Sequence, residues 1–312
     1  MSDSRRAAIY LVITAAGFGG TWVAAPWATQ EIAPLVVACV RFAIAAALLF
    51  GFCRLRGRSL HLDRRDVPAV AGVAVTSVVG YNVLFLYGVT LAPASHGAVI
   101  VPGLIPMATL ILSRVLLGTR ASARQLAGIL LSIGGLALVV GPELSGGSTT
   151  LLGDAMFAFS AAIWAAYTLV GRASRLDPAV LTFYGTAVGS IALLPLAILV
   201  PDPSAGALGD ASTRAILSVV YLGTIGTVVA FVAFLQGVRL IGPSRATAYT
   251  VLIPVFGLAL TVTLLGEALT PLALVGAVVV LAGLRLTQSG ATPATGVTPD
   301  AALAAPNPGE PA

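Results

Sequence analysis

The sequence predicts an all-α polytopic membrane protein whose ten transmembrane helices form two inverted five-helix repeats. Three observations predict it. Of the 312 residues, 58% are apolar and 9% are charged, against about a quarter charged in a soluble domain, so most of the surface suits lipid rather than water. The apolar residues fall into ten runs close to the roughly 20 residues that cross a bilayer. The segment 104–119, LIPMATLILSRVLLGT, aligns without a gap on 252–267, LIPVFGLALTVTLLGE.

The elements follow in chain order. Residues 1–7 form a cytoplasmic N-terminus that carries Arg5 and Arg6. The first run, 8–28, is too long for a signal peptide and is followed by nine more, so it reads as an uncleaved anchor. The second, 32–52, holds Arg41, the one ionisable side chain near the centre of a run. The third, 67–91, contains the polar pair Tyr81 and Asn82. His96 stands at the start of the fourth, 98–117, which Pro106 interrupts; the fifth is 121–140. The Gly/Ser/Thr-rich stretch 142–150 is an extracytoplasmic linker. Asp154 begins the sixth run, 152–170, which is apolar on nearly every side and carries Trp164 and Tyr167. The seventh, 180–200, presents Gly185 and Gly189 as a small-residue face suited to helix packing. The eighth is 215–235. The ninth, 246–265, holds Tyr249, Thr250 and Pro254, and Glu267 lies in the turn before the tenth, 271–287. Residues 288–312 are Ala, Pro, Thr and Gly without periodicity, a disordered cytoplasmic tail.

Charge gives the orientation. All 17 basic residues are Arg. With the N-terminus inside, fifteen of the 17 fall on the cytoplasmic side, Arg214 falls outside and Arg41 lies within a span. Both termini are then cytoplasmic. The net charge of +5 is scattered in short clusters between apolar runs, without interleaved aromatics, and is not a nucleic-acid footprint. Cys39 and Cys53 lack any ligand spacing and read as small buried hydrophobes.

The internal match makes 8–141 and 151–287 two repeats. Leu104-Ile105-Pro106 matches Leu252-Ile253-Pro254, and the register continues through Gly128 with Gly276 and Gly135 with Gly283. Upstream, Gly88 matches Gly237 after one single-residue slip. Five spans per repeat is an odd number, so the second enters the membrane from the opposite side. Inverted repeats are a transporter architecture, with the substrate near midplane between the halves.

At this point the residues resemble the EamA family of the drug/metabolite transporter (DMT) superfamily, over roughly 8–287. The resemblance is carried by Gly19-Gly20-Thr21-Trp22, Pro34 with Arg41-Phe42, the Pro106 segment ending in Leu117-Gly118, Ala162 to Tyr167, and Pro254 through Leu265-Gly266-Glu267-Ala268-Leu269. Two positions depart from the pattern: Thr119 stands where the family often has Glu, and 180–200 lacks a counterpart of Arg41. The resemblance implies export of metabolites or amino acids across a bacterial inner membrane, by alternating access and without ATP hydrolysis. No phosphate-binding Gly-Lys-Ser/Thr loop is present. Coupling then falls to an ion gradient, with the proton the candidate. No cofactor or metal is expected, and the oligomer is left open between monomer and homodimer.

The candidate cavity residues are Arg41, Trp22, Tyr81, Asn82, Trp164, Tyr167 and Tyr249. An unpaired central charge costs about 2.5–3.5 kcal/mol on insertion scales, so Arg41 must face protein or a watery cavity. It either attracts a substrate carboxylate or anchors backbone carbonyls. Asn82 needs partners in lipid. Pro106 and Pro254 remove backbone donors at equivalent places and read as gating kinks. Glu267 is either a gate or a cap on the tenth helix; Asp154 reads as a cap and His96 as interfacial. A multidrug exporter of the same fold is the alternative, although 8–28 contains no acid to hold a cationic drug. A lipid flippase or a sensor also fits the fold. A membrane enzyme does not: no His-Glu-x-x-His, intramembrane Asp pair or Gly-x-Ser-x-Gly elbow occurs.

Overall fold

The structure, a computed structural model, describes residues 2–117, 122–140, 148–200, 208–241, 249 and 252–289. These residues form ten helical rods: α1 (Asp3–Thr29), α2 (Pro34–Leu55), α3 (Val67–Leu91), α4 (Ala94–Leu117), α5 (Ala123–Val140), α6 (Ser148–Ala173), α7 (Pro178–Leu199), α8 (Thr213–Gly223 continued by Thr224–Val229 and Ala230–Ile241), α9 (Leu252–Leu265) and α10 (Pro271–Ser289). Seven of these rods, α1–α4 and α6–α8, are long and apolar enough to cross a membrane, and α5, α9 and α10 are shorter apolar helices.

Local chemistry sets the ends. Pro34, Pro68 and Pro178 stand in the first turns of α2, α3 and α7, where a missing N–H is harmless. Ser122 and Gln125 close a reciprocal capping box at α5, with Gln125 N donating to Ser122 Oγ (3.2 Å) and Ser122 N to Gln125 Oε1 (2.9 Å). Thr270 Oγ1 accepts from Ala273 N (3.1 Å) at α10. Gly266 ends α9 in the left-handed region at φ 70°, which favours glycine.

Several boundaries differ from expectation: α1 begins at Asp3 rather than 8, α8 runs on to Ile241 rather than 235, and the starts of α4 and α6 also move. α4 begins at Ala94 rather than 98, because Glu267 satisfies its first N–H groups. α6 begins at Ser148, so 148–150 are helical rather than linker. The rest of the linker through 147, Gly118, Thr119 and the tail from 290 lie outside the described residues.

Three helices contain π-helical stretches: Ala74–Gly80 in α3, Thr224–Val229 in α8 and Thr261–Leu265 in α9. The first two occupy matching places, since the Gly88–Gly237 register carries 74–80 onto 223–229.

The main pairings recur when each rod is exchanged for the one five places along, although among the described residues α4 also packs on α5 and α10 and α9 does not pack comparably on α10 and α5. α1 pairs with α8 as α6 pairs with α3, and α1 with α9 as α6 with α4; α2 pairs with α7 and α5 with α10. α5 and α10 run antiparallel, with Gly128 against Gly283 and Gly135 against Gly276; a Cβ on Gly135 would lie 2.7 Å from the Gly276 carbonyl oxygen. α2 and α7 are antiparallel too. Ser190 Oγ donates to the Cys39 carbonyl (3.0 Å), and further along Phe50 meets Phe183. Gly185 and Gly189 pack on Val73 and Val78 of α3, so this small-residue face is used within the chain.

The buried core contains Trp22, Phe85, Leu86 and Phe157. The exterior is apolar as well, with Val115, Leu130, Phe159, Ile191 and Leu199 exposed, as lipid-facing helices require.

Candidate functional site

The site grows from the two matching π stretches. A π turn leaves a carbonyl without its usual i+4 donor, and here side chains supply the bond. In α3, Asn82 Nδ2 donates to the Ser77 carbonyl, five residues back, at 2.6 Å. In α8, Thr227 Oγ1 donates to the Leu222 carbonyl, again five residues back, at 2.7 Å. Each side chain keeps an oxygen to accept with.

Arg41 of α2 takes both oxygens. Its Nη1 donates to Asn82 Oδ1 at 3.0 Å and its Nε to Thr227 Oγ1 at 3.3 Å. The guanidinium also stands 5.1 Å from the Phe42 ring centroid, a cation–π distance. Arg41 is only 7% exposed, and no carboxylate among the described residues lies within ion-pair distance of it. It anchors on side-chain oxygens, not on the backbone carbonyls that a purely structural role suggested.

A cavity opens beside this bridge. Its lining comes from Arg41 and Phe42 of α2, Phe18 and Thr21 of α1, Ser77, Tyr81, Asn82 and Phe85 of α3, Trp164 of α6, Thr182 and Thr186 of α7, and Gly226, Thr227 and Phe231 of α8. The walls are aromatic. Trp164 lies edge-on to Tyr81 (4.8 Å), Tyr81 stacks on Phe85 (5.8 Å) and Phe18 meets Phe231 edge-on (5.7 Å). Among the described residues, the chemistry on offer is one fixed cation, neutral hydroxyl and amide groups, and π faces, with no acid.

The structure thus brings together Arg41, Tyr81, Asn82 and Trp164. Trp22 is buried one layer behind, edge-on to Phe85 (4.9 Å) and Phe157 (5.6 Å). Tyr167 lies edge-on to Trp164 (5.1 Å) but packs with Val70, Val73 and Leu181 rather than lining the cavity. Tyr249 does not line it, and Thr250 lies outside the described residues. Pro106 sits inside α4 together with Pro102, and Pro254 is buried near the start of the described part of α9; neither touches the cavity. Thr227, Ser77, Phe18 and Phe231 escaped the sequence reading, because Ser, Thr and Phe are unremarkable in an apolar helix.

Three end-of-span readings need correction. Glu267 does not cap α10, a task Thr270 performs; its carboxylate accepts from Ala94 N (2.9 Å) and Ser95 N (2.8 Å) of α4. Asp154 is not a cap, since α6 starts six residues earlier. His96, in the first turn of α4, does not face lipid or water: it is buried in the protein, with Nδ1 3.0 and 3.2 Å from the two Asp154 carboxylate oxygens.

Two polar tethers join connecting segments. Glu31, between α1 and α2, accepts from Ser212 N (2.6 Å) and Ser212 Oγ (2.7 Å), while the Arg214 guanidinium stands 5.7 Å from the Trp27 ring. The Ser212 amide, then its hydroxyl, hold the Glu31 carboxyl below its ordinary range, against an opposing effect of burial and with a lesser contribution from Arg214. At the other end of the α2·α7 pair, Arg58 bonds Asp177, and Tyr184 Oη donates to the Leu60 carbonyl (2.5 Å). Exchanging each rod for its counterpart turns one tether's place into the other's.

With this geometry in hand, the chain was compared with known proteins. The family model described as the EamA-like transporter family matches residues 5–141 and 151–288. An uncharacterized transporter from Archaeoglobus fulgidus is 28% identical over 280 residues, 89% of this chain and 97% of the relative. A probable terminal-alkyne amino-acid exporter from Streptantibioticus cattleyicolor is 31% identical over 262 residues, 82% of each chain. The uncharacterized transporter YyaM of Bacillus subtilis is 25% identical over 278 residues, 87% of this chain and 90% of the relative. A protein of known crystal structure shares the fold, with a TM-score of 0.66 at 20% identity over 90% of this chain and 95% of its own.

Proposed function

The chain belongs to the EamA-like transporter family, and from that membership we propose that it exports a small carboxylate metabolite, an amino acid or derivative, across a bacterial inner membrane by alternating access. On this reading all ten rods cross the bilayer as two inverted five-helix repeats, 8–141 and 151–287, with both termini in the cytoplasm. The main helix pairings that recur on exchange and the antiparallel α2·α7 and α5·α10 pairs support the inversion. Two such halves have two states of similar energy, each closed on one side.

The observation that carries the substrate class is Arg41. It is a buried cation without a counter-ion among the described residues, pinned between the π turns of α3 and α8 and facing a cavity. A substrate carboxylate supplies the missing anion, and the guanidinium fork binds it with directional hydrogen bonds. The aromatic walls accept the rest of an amphipathic molecule. Because Arg41 bonds to both α3 and α8, a carboxylate that draws on its N–H groups also acts on how these two helices sit.

The tethers supply gates. Glu31–Ser212 closes the extracytoplasmic end and Arg58–Asp177 the cytoplasmic end, and alternating access opens one at a time. A cationic drug fits less well, since no acid lines the cavity. The printed name of the Streptantibioticus relative, an amino-acid exporter, points the same way.

The test is transport into inside-out vesicles. Vesicles carrying the protein take up radiolabelled amino acids faster than control vesicles. Arg41→Lys keeps a charge but loses the two-pronged geometry; it accumulates in the membrane and its uptake falls by roughly 10- to 100-fold, the worth of a charged hydrogen bond of about 1.5–3 kcal/mol. Unchanged uptake across all amino acids overturns the substrate class. Failure of Arg41→Lys to accumulate in the membrane makes Arg41 structural.

A further inference from the structure

The cavity leaves one buried ionisable pair unused. His96 and Asp154 are 6% and 4% exposed and join α4 of the first half to α6 of the second. Neither is needed for helix ends: Glu267 caps α4, and Asp154 stands in the second turn of α6. Ionisable groups buried within the helices of a membrane protein are costly, and they often mark ion paths and proton relays; this pair lies in the first two turns of α4 and α6. Imidazole is also the side chain whose ordinary titration falls between pH 5 and 8.

The pair is mechanically connected to the cavity. Gly97, the residue after His96, lies against Trp22 and Phe157; a Cβ there would stand 2.8 Å from the Phe157 ring. Phe157 follows Asp154 by one helical turn. Trp22 bridges Phe157 to Phe85, and Phe85 lines the cavity. Two rings therefore separate the pair from the substrate space. The other titratable groups near this end of α4 are Glu267, held by the Ala94 and Ser95 N–H groups, and Tyr87 on α3. The ends of α1, α5, α9 and α10 that pack here carry none among the described residues.

We propose that the His96–Asp154 pair is the proton site that couples export to a proton gradient, an inference that rests on the transporter reading above. With one added proton the pair is an imidazolium–carboxylate ion pair that draws α4 and α6 together. Without it, the pair is a neutral imidazole beside a carboxylate, and the attraction between the halves weakens. The proton bonds to an imidazole nitrogen from water on one side and leaves that nitrogen to water on the other. No bond in the substrate changes. Trp22 and Phe157 pass the shift at this interface to the cavity wall.

The experiment uses the full chain in proteoliposomes, with a radiolabelled mixture of the protein amino acids as probe. Uptake driven by an imposed pH gradient is compared with counterflow at equal pH on both sides. The wild type accumulates label against the gradient. His96→Gln and Asp154→Asn lose gradient-driven accumulation by about tenfold or more and keep counterflow within about twofold, whereas Asp154→Glu, which retains the carboxylate, keeps both. Variants that retain driven accumulation, or a wild type that exchanges label but ignores the gradient, overturn the proton site and leave the transporter reading standing. Loss of both activities in all three variants assigns the pair to packing. A wild type without counterflow for any amino acid sinks the substrate reading, and this proposal with it.

Discussion

Asn82 performs two tasks with one amide, and this makes its loss informative. Nδ2 repairs the π turn through the Ser77 carbonyl while Oδ1 holds Arg41. Asn82→Leu conserves size but leaves a buried carbonyl and a buried cation each short of a partner. Stranding such groups costs about 1–3 kcal/mol each, so the melting temperature in detergent falls and uptake drops together with it. Thr227→Val removes one acceptor from Arg41 at 3.3 Å, a longer bond, and lowers uptake less than Asn82→Leu. Equal losses from the two variants contradict this ranking. The residues the sequence made legible here are those rare in apolar runs, Arg41, Asn82, Tyr81 and Trp164. Thr227 and Ser77 were hidden because hydroxyls usually bond their own helix, and nothing in a sequence marks a π turn. His96 and Asp154 were misplaced for a different reason. Each stands near the edge of an apolar run, where a polar residue is normally an end, and only the packing of α4 on α6 shows otherwise.

At the scale of elements, tight backbone approach and capping carry the argument. Gly135 and Gly276 meet where α5 crosses α10, and a Cβ at Gly276 would lie 2.6 Å from the Gly135 carbonyl oxygen. Backbone cannot yield as a side-chain tip can, so Gly276→Val forces the helices apart. Overpacking costs about 1–3 kcal/mol or more, read as reduced membrane accumulation and a lower melting temperature, while Gly134→Val, with nothing near its Cβ, is tolerated. The matches of Gly128 with Gly276 and Gly135 with Gly283 made α5 and α10 legible as repeat equivalents, but not that the two helices pair, nor which glycine meets which. The Glu31 cap adds a pH dependence. Its carboxyl is held below the ordinary range by Ser212, so its contribution is present above the unfolded value and is lost as pH falls through the depressed one. Amide protection at the start of α8, Thr213–Gly223, taken relative to the intrinsic exchange rate at each pH, therefore falls on acidification in the wild type. In Glu31→Gln the protection is lower at neutral pH and flat with pH; a Gln variant that still shows the acid step assigns it to another group.

Over the whole molecule, the two tethers stand at opposite ends of the antiparallel α2·α7 pair and exchange places under the same operation that exchanges the halves. Composition and the gapless 104–119 match made the helical, membrane-bound, twofold plan legible. The tethers were not, because Glu31, Asp177 and Arg58 look like ordinary loop charges until the connecting segments are brought side by side. If the two states of the transporter differ by which tether is closed, weakening one tether shifts the population toward the state open on that side. The shift is set by the difference the tether makes between the two states. The probe is Thr186→Cys, a position lining the cavity, in a chain whose Cys39 and Cys53 are replaced by Ser. A membrane-impermeant maleimide is applied from either face. Asp177→Asn raises labelling from the cytoplasmic face and lowers it from the other, and Glu31→Gln does the reverse. Reversing the inner pair, Arg58→Asp with Asp177→Arg, restores the wild-type balance if the pairing itself is the gate. Should both weakened variants raise labelling from the same face, the tethers are not gates on opposite sides, and the exchange that relates the main helix pairs does not extend to the motion.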